Sequence, residues 1–128
     1  MNPRLRKLRR LLAREKLDAF LVSSPSNRRY LSGFTGSAGF LLISPEEAVL
    51  ATDFRYIEQA ASQAPDFRIV RTQGELDWFP GTVREMGIRA IGFESDDLAV
   101  TAYRHLVQEG RKLGPKRRPQ LVPTRGLI

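Results

Sequence analysis

Apolar residues in the opening segment recur every three to four positions. Leu5, Leu8, Leu12 and Ala13 share a side, Leu11 lies beside them, and basic side chains fill most of the remaining wheel. This spacing predicts a surface helix over about 3 to 16, with Pro3 tolerated in its first turn because the N–H it lacks has no helical partner there. The run Leu17-Asp-Ala-Phe-Leu-Val-Ser is short, apolar and bounded by Pro25, Ser26 and Asn27, which reads as a buried strand at about 18 to 23. From Ser24 to Gly39 small and flexible residues predominate, so the segment is expected to be mostly loop with one helical turn around Arg28 to Leu31. Two apolar runs, 39 to 44 and 48 to 52, are separated by Pro45, Glu46 and Glu47 and predict an antiparallel hairpin.

After Asp53, a plausible N-cap, the period becomes helical, with Phe54, Ile57, Ala60 and Ala61 on one side and Pro65 beyond the end. Strands are expected at 67 to 71 and 88 to 93, with a weaker helix over 76 to 86 that contains Pro80 and Gly81. A further helix is read over 95 to 109, capped by Ser95 or Asp96, with Leu98, Ala102, His105 and Leu106 on one face. Interleaved helices and strands indicate an α/β fold, and the hairpin makes its sheet mixed, with helices flanking it. Residues 1–110 form the expected domain. Residues 111–128, with their prolines and glycines, are expected to be a basic linker with one terminal apolar strand segment.

At 128 residues the chain is one domain's worth of polypeptide. The absence of cysteine excludes disulfides, thiolate zinc sites and a cysteine nucleophile, and a single histidine, His105, leaves little for a histidine-ligated metal centre. The formal net charge is +7, and the excess lies at the chain's two ends. From Gly110 onward there are six basic residues and no acid, and the first sixteen residues hold seven basic residues against Glu15 alone. Such a field attracts polyanions through unspecific Coulomb terms. No helix-turn-helix, zinc-finger, cold-shock or aromatic RNP signature accompanies it, so nucleic acid is not an expected partner. No stretch approaches a membrane helix and no secretory h-region follows Met1, which makes the cytoplasm the expected location and a membrane partner unexpected.

The segment Gly33, Thr35, Gly36, Ser37, Gly39 offers backbone N–H groups to a phosphate or carboxylate, but it lacks the Walker lysine and does not fit the dinucleotide fingerprint. A turn that lets two elements approach closely explains the same glycines. Ser37 and Ser26 have only His105 as a potential imidazole base, and a triad is not expected. Arg28 and Arg29 are candidate paired donors to an anion. Asp53, Arg55 and Tyr56 form a second polar group, with the alternative that Asp53 caps a helix while Arg55 ties it to a neighbouring loop. The acid pairs Glu46-Glu47 and Asp96-Asp97 sit at element boundaries, where acids favour turns and helix starts. Adjacent Trp78 and Phe79 are candidates for a contact surface.

The linked motifs Asn27-Arg-Arg-Tyr30-Leu31-Ser-Gly33-Phe34-Thr35-Gly36-Ser37-Ala-Gly39 and Thr52-Asp53-Phe-Arg55-Tyr56-Ile-Glu-Gln59-Ala60 closely resemble the N-terminal domain of the creatinase/prolidase family, the Xaa-Pro peptidases. The resemblance implies a mixed α/β domain with a ribonuclease H-like motif, followed in family members by a larger metallopeptidase domain. That domain holds two divalent ions, commonly manganese or cobalt, on two Asp, one His and two Glu. It implies no catalytic residue, metal or cofactor in this segment. The role implied here is dimerisation and restriction of access to the metal site. Gly33, Phe34, Thr35, Gly36, Ser37, Arg55 and Tyr56 would face the cleft or the interdomain junction, and Trp78 and Phe79 an interface. Implied partners are the catalytic domain, a second subunit and short proline-containing peptides. The rival reading is a stand-alone small-molecule or nucleic-acid binding module.

Overall fold

The apolar runs of the hairpin and its neighbours assemble into one six-stranded sheet with helices on both faces. The structure, a computed structural model, describes residues 2–128. The strands are β1 (Ala19–Val22), β2 (Phe40–Ile43), β3 (Ala48–Thr52), β4 (Arg68–Arg71), β5 (Ala90–Glu94) and β6 (Gln120–Thr124), in spatial order β4-β3-β2-β1-β5-β6. β2 pairs antiparallel with both β1 and β3, whereas β3 with β4, β1 with β5 and β5 with β6 are parallel. Five strands therefore run one way and β2 alone is reversed, so the sheet has a carboxyl rim and an amino edge with different loops on each.

The central strands are buried on both faces, which is why they read as continuous apolar runs rather than alternating ones. Phe20, Val22, Leu41, Ile43 and Leu50 point into one layer with Leu5, Leu8 and Leu12 of α1 (Pro3–Arg14) and Leu31 of α2 (Pro25–Ser32). Ala60 of α3 (Ile57–Gln63) completes this layer. Ala19, Leu21, Leu42 and Val49 face the other layer, with Phe79 and Val83 of α4 (Phe79–Met86) and Leu106 of α5 (Val100–Arg111). Asn2 caps α1 by accepting from the N–H groups of Arg4 and Leu5.

Several boundaries differ from expectation. The 24 to 39 segment holds two full turns of helix, because Ser24 caps the N-terminus, Pro25 occupies the first turn and Gly33 ends it in the left-handed region at φ 83°. The helix after Asp53 opens with a 3₁₀ turn, Phe54–Tyr56, which turns Phe54 outward to 69% exposure instead of onto the apolar face. Pro80 does not interrupt α4 since the helix begins at Phe79, one residue before it. α5 begins at Val100 with no side-chain cap; Ser95 and Asp96 lie in the preceding turn, where the Ser95 hydroxyl donates to the Thr124 carbonyl and Asp96 meets Arg125. His105 lies on the exposed side of α5 beside Glu109, not with buried Leu106. A division at residue 110 does not follow the edge of the sheet, because residues 120–124 form the sixth strand.

Candidate functional site

The loops at the carboxyl rim gather the residues singled out between 33 and 56. α2 starts there because β1 ends at Val22, and the Glu94 carboxylate at the end of β5 accepts from the Ser23 and Ser24 N–H groups at 2.8 and 2.9 Å and from the Asn27 amide at 2.5 Å. This fixes the entry of α2 to the neighbouring parallel strand. From the same helix, Arg28, only 3% exposed, donates to the carbonyls of Gly39 at 2.9 Å and Gly36 at 3.0 Å. Its Nε has no partner. Burial pushes the Arg28 guanidinium below its usual pKa, with the charge of Asp97 acting in the opposite direction. Arg28 and Arg29 are thus not paired donors: Arg28 is committed to the loop and Arg29 is exposed.

Loop 33–39 is held from both sides. Ser32 Oγ accepts from the Phe34 N–H at 3.0 Å, and the Phe34 ring, 1% exposed, packs edge-on to Tyr56 at 5.9 Å between centroids. Gly36 lies against that ring so closely that a Cβ there would sit 2.2 Å from Phe34 Cζ, which answers why the loop needs glycine: close approach. Thr35 is clasped by two amides of α3. Its N–H donates to Gln63 Oε1 at 2.9 Å, and its hydroxyl accepts from Gln59 Nε2 at 3.0 Å and Gln63 Nε2 at 3.1 Å. Ser37 Oγ and Tyr56 OH are 2.5 Å apart. Asp53 Oδ1 accepts from the Arg55 N–H, and both its oxygens take the Arg55 guanidinium at 2.9 and 2.8 Å. Arg55 therefore turns back on the cap itself instead of reaching a neighbouring loop. The paired guanidinium holds the Asp53 carboxyl below its usual range, and Asp53 raises Arg55 in turn.

Two concavities open on this rim. One of about 480 Å³ is lined by Ser23, Arg28, Ser37, Thr52, Asp53 and Glu75 among others. The second, about 260 Å³, lies between Asn27, Glu94, Asp97, Thr124 and the terminal Leu127 and Ile128. Clefts beyond the carboxyl ends of strands are where open α/β sheets present binding residues.

The rim brings together Gly33, Phe34, Thr35, Gly36, Ser37, Arg55 and Tyr56. Trp78 and Phe79 are elsewhere and not on a surface: they are 6% and 0% exposed, packed edge-on at 5.7 Å in the layer under α4, with the indole N–H donating to the Glu75 carbonyl. Both adjacent aromatics are buried because Phe40 of β2 covers the indole at 6.2 Å between centroids, in the same apolar layer that takes Phe79. Glu94, Gln59 and Gln63 were not singled out from the sequence as site residues. The glutamines carried a signal in their i, i+4 spacing; Glu94 had only its place at the end of an apolar strand.

Among the described residues no group of three or more His, Cys, Asp or Glu side chains is gathered as a metal site. Glu94 and Asp97, which line the smaller concavity together, do not fit a metal either: the Glu94 oxygens take three N–H donors, and Asp97 accepts from the Ser23 hydroxyl at 2.7 Å.

A mixed sheet with a capped two-turn helix, a clasped glycine loop and an Asp–Arg–Tyr cap at its carboxyl rim defines a class that sequence comparison confirms. The profile of the Creatinase/Prolidase N-terminal domain matches residues 4–128, and the chain belongs to that family. It is 42% identical over 101 residues to the uncharacterized peptidase YqhT of Bacillus subtilis strain 168, an alignment covering 78% of this chain and 29% of that protein. It is 32% identical to the probable Xaa-Pro aminopeptidase P of Penicillium rubens, covering 88% of this chain and 21% of that one. The chain thus spans less than a third of the length of these curated relatives. Among solved structures, the N-terminal domain of the cytoplasmic peptidase PepQ from Mycobacterium tuberculosis H37Rv superimposes with TM-score 0.89 at 40% identity, covering 99% of this chain and 96% of that one. The Xaa-Pro dipeptidase from Bacillus anthracis gives TM-score 0.86 at 35% identity, covering 98% of this chain and 34% of that one. No helix among the described residues is long and apolar enough to cross a membrane.

Proposed function

We propose that this chain is the non-catalytic N-terminal domain of a cytoplasmic, homodimeric Xaa-Pro peptidase, and that it contributes to dimerisation and restricts access to a metal site in a following domain. The observation that carries this reading is the rim itself. Loop 33–37 is held by Arg28, Gln59, Gln63 and Tyr56, a degree of fixation suited to a wall that sets the size of a cleft. Family membership and the names of the relatives, peptidases acting at Xaa-Pro bonds, support the reaction class of the parent. The two divalent ions, manganese or cobalt, belong in this proposal to the following domain. Residues 111–119 then serve as the approach to the last strand, and 125–128 as the lead toward the catalytic half.

The test has two arms. With manganese and Xaa-Pro peptides, the 128-residue chain gives no turnover above a no-protein control, while the polypeptide from the extended reading frame hydrolyses them. In that longer enzyme, replacing Thr35 and Ser37 by glycine relaxes the preference for short peptides several-fold and leaves kcat on the smallest substrate within about twofold. Hydrolysis by the chain alone, an extension without the Asp, Asp, His, Glu, Glu set, or an unchanged length preference would overturn the proposal.

A further inference from the structure

The last two basic residues of the opening cluster and three of the closing one come to the same amino edge of the sheet. α1 delivers Arg14 and Lys16 to the start of β1, the turn before β5 carries Arg89, and the turn before β6 carries Lys116, Arg117 and Arg118; all six are exposed. β1, β5 and β6 are neighbours, and backbone bonds lock their entries side by side: Asp18 N–H to the Ala90 carbonyl at 2.8 Å and Gln120 N–H to the Arg89 carbonyl at 2.7 Å. The acids of this edge are partly spent. Asp18 accepts from the N–H groups of Arg89 and Ala90, and Glu109 meets Lys112 at 2.9 Å; Glu15 remains exposed. The 114–118 turn is itself fixed, with Arg117 and Arg118 both donating backbone N–H groups to the Gly114 carbonyl.

Lys16 adds an independent observation. It is the one positive-φ residue other than glycine among the described residues, at φ 59°, in the left-handed seat that closes α1. Leu17 N–H bonds back to the Leu12 carbonyl, the pattern in which glycine is the favoured occupant. The exposed lysine thus combines a strained backbone with a charge at the edge.

We infer that the amino edge of β1, β5 and β6 is a docking surface for the phosphate backbone of a nucleic-acid duplex, bound without sequence readout. The absence of a recognition motif argues against base reading, not against backbone binding, which needs only a positive surface of the right span. Arginine predominates at this edge, and its planar fork suits phosphate oxygens. Among the described residues the exposed large apolar side chains, Tyr30, Phe54 and Val100, all belong to elements that begin at the carboxyl rim. This edge therefore offers neither the apolar side chain that anchors a protein in an anionic membrane nor a ring on which single-stranded bases stack.

Fluorescence anisotropy with the 128-residue chain and two unrelated duplexes of about 20 base pairs tests this across a salt series, including about 150 mM. Expected are equal micromolar affinities for both duplexes and a log–log salt slope of about −4, roughly 0.9 per phosphate neutralised. Lys116→Glu/Arg117→Glu/Arg118→Glu should weaken binding about tenfold or more, and the charge-matched rim control Arg29→Glu/Arg71→Glu/Arg125→Glu less than about threefold. Lys16→Gly keeps binding from being confounded with unfolding: it relieves the strained seat, so its thermal midpoint should rise while affinity falls about twofold. The inference is overturned by no retention at physiological salt, by equal losses in the two triple variants, by an unchanged affinity of Lys16→Gly, or by equally effective competition from polyglutamate or phosphatidylserine vesicles at matched charge.

Discussion

The carboxyl rim and the amino edge of the same sheet are built on opposite principles. At the rim, polar side chains are spent on one another: Glu94 on α2, Arg28 on two loop carbonyls, Gln59 and Gln63 on Thr35, Arg55 on Asp53. At the amino edge, basic side chains face solvent, and backbone bonds together with the Asp18 carboxylate do the fastening. The difference separates shape from field. Substitutions at the rim should be read in stability and loop position, whereas those at the amino edge should be read in salt-dependent association with little cost to folding.

The largest break in this contrast is expected at Arg28. Arg28→Ala leaves the Gly36 and Gly39 carbonyls without their charged donor and opens space beneath Phe34, which should cost about 2–4 kcal/mol in urea unfolding. Arg28→Lys should recover less than half, since an ammonium does not reproduce the fork to both carbonyls. An unfolding free energy within about 0.5 kcal/mol of the parent would mean that the loop does not depend on its buried anchor. Gly36→Ala comes next. The added methyl meets the buried Phe34 ring, which is confined by Tyr56, and about 1–3 kcal/mol of destabilisation is expected, with displaced Phe34 and Tyr56 ring signals in NMR spectra. Unmoved ring signals would show that the loop yields instead.

On the other edge the sign reverses. Lys16→Gly removes a side chain from the left-handed seat, and the relief of about 1 kcal/mol is offset in part by the greater freedom of glycine in the unfolded chain. A net gain of about 0.5 kcal/mol should appear as a raised thermal midpoint. A lowered midpoint would indicate that the lysine stem contributes packing that outweighs its backbone strain.

What could be read from the residues follows the same division. The strands and α1 were legible because burial on both faces or on one helical stripe leaves a periodic apolar trace, as in Phe20 to Val22 and Leu5, Leu8, Leu12. The rim loop was legible as a motif, with Gly33 to Ser37 and Asp53 to Tyr56 in linked spacing. Its mechanics were not, because the Glu94 and Arg28 contacts join residues through the fold and leave no local period. α2 was underestimated since its stability comes from Ser24, Pro25 and Gly33 at its ends more than from an apolar face. Trp78 and Phe79 read as a contact surface because nothing local in the sequence shows that Phe40 of β2 covers the indole. The nearness of Arg14 and Lys16 to Lys116, Arg117 and Arg118 depends on β6 returning beside β5: an apolar strand segment was legible near the end of the chain, but its seat in the sheet was not, because pairing with β5 leaves no local signal.

The smallest expected effect concerns Asp53 and probes whether an exposed rim contact behaves like the buried ones. Arg55 holds the folded-state pKa of Asp53 below its unfolded value through side-chain hydrogen bonds first, with backbone and Coulomb contributions beside them. A depressed carboxyl stabilises the fold above its unfolded pKa, and that stabilisation is lost as pH falls through the folded value. The acid limb below about pH 4 is therefore where Arg55→Ala and the parent chain should differ least, and neutral pH where they should differ most. The pair is solvated and screened, so the difference should shrink on adding about 1 M salt, unlike that of Arg28→Ala. NMR titration of the Asp53 carboxyl checks the cause directly: its midpoint should rise toward the ordinary aspartate range in Arg55→Ala. An unmoved midpoint would assign the depression to the backbone N–H at position 55, which the alanine variant retains, and would make the cap, not the guanidinium, the element that fixes this corner of the rim.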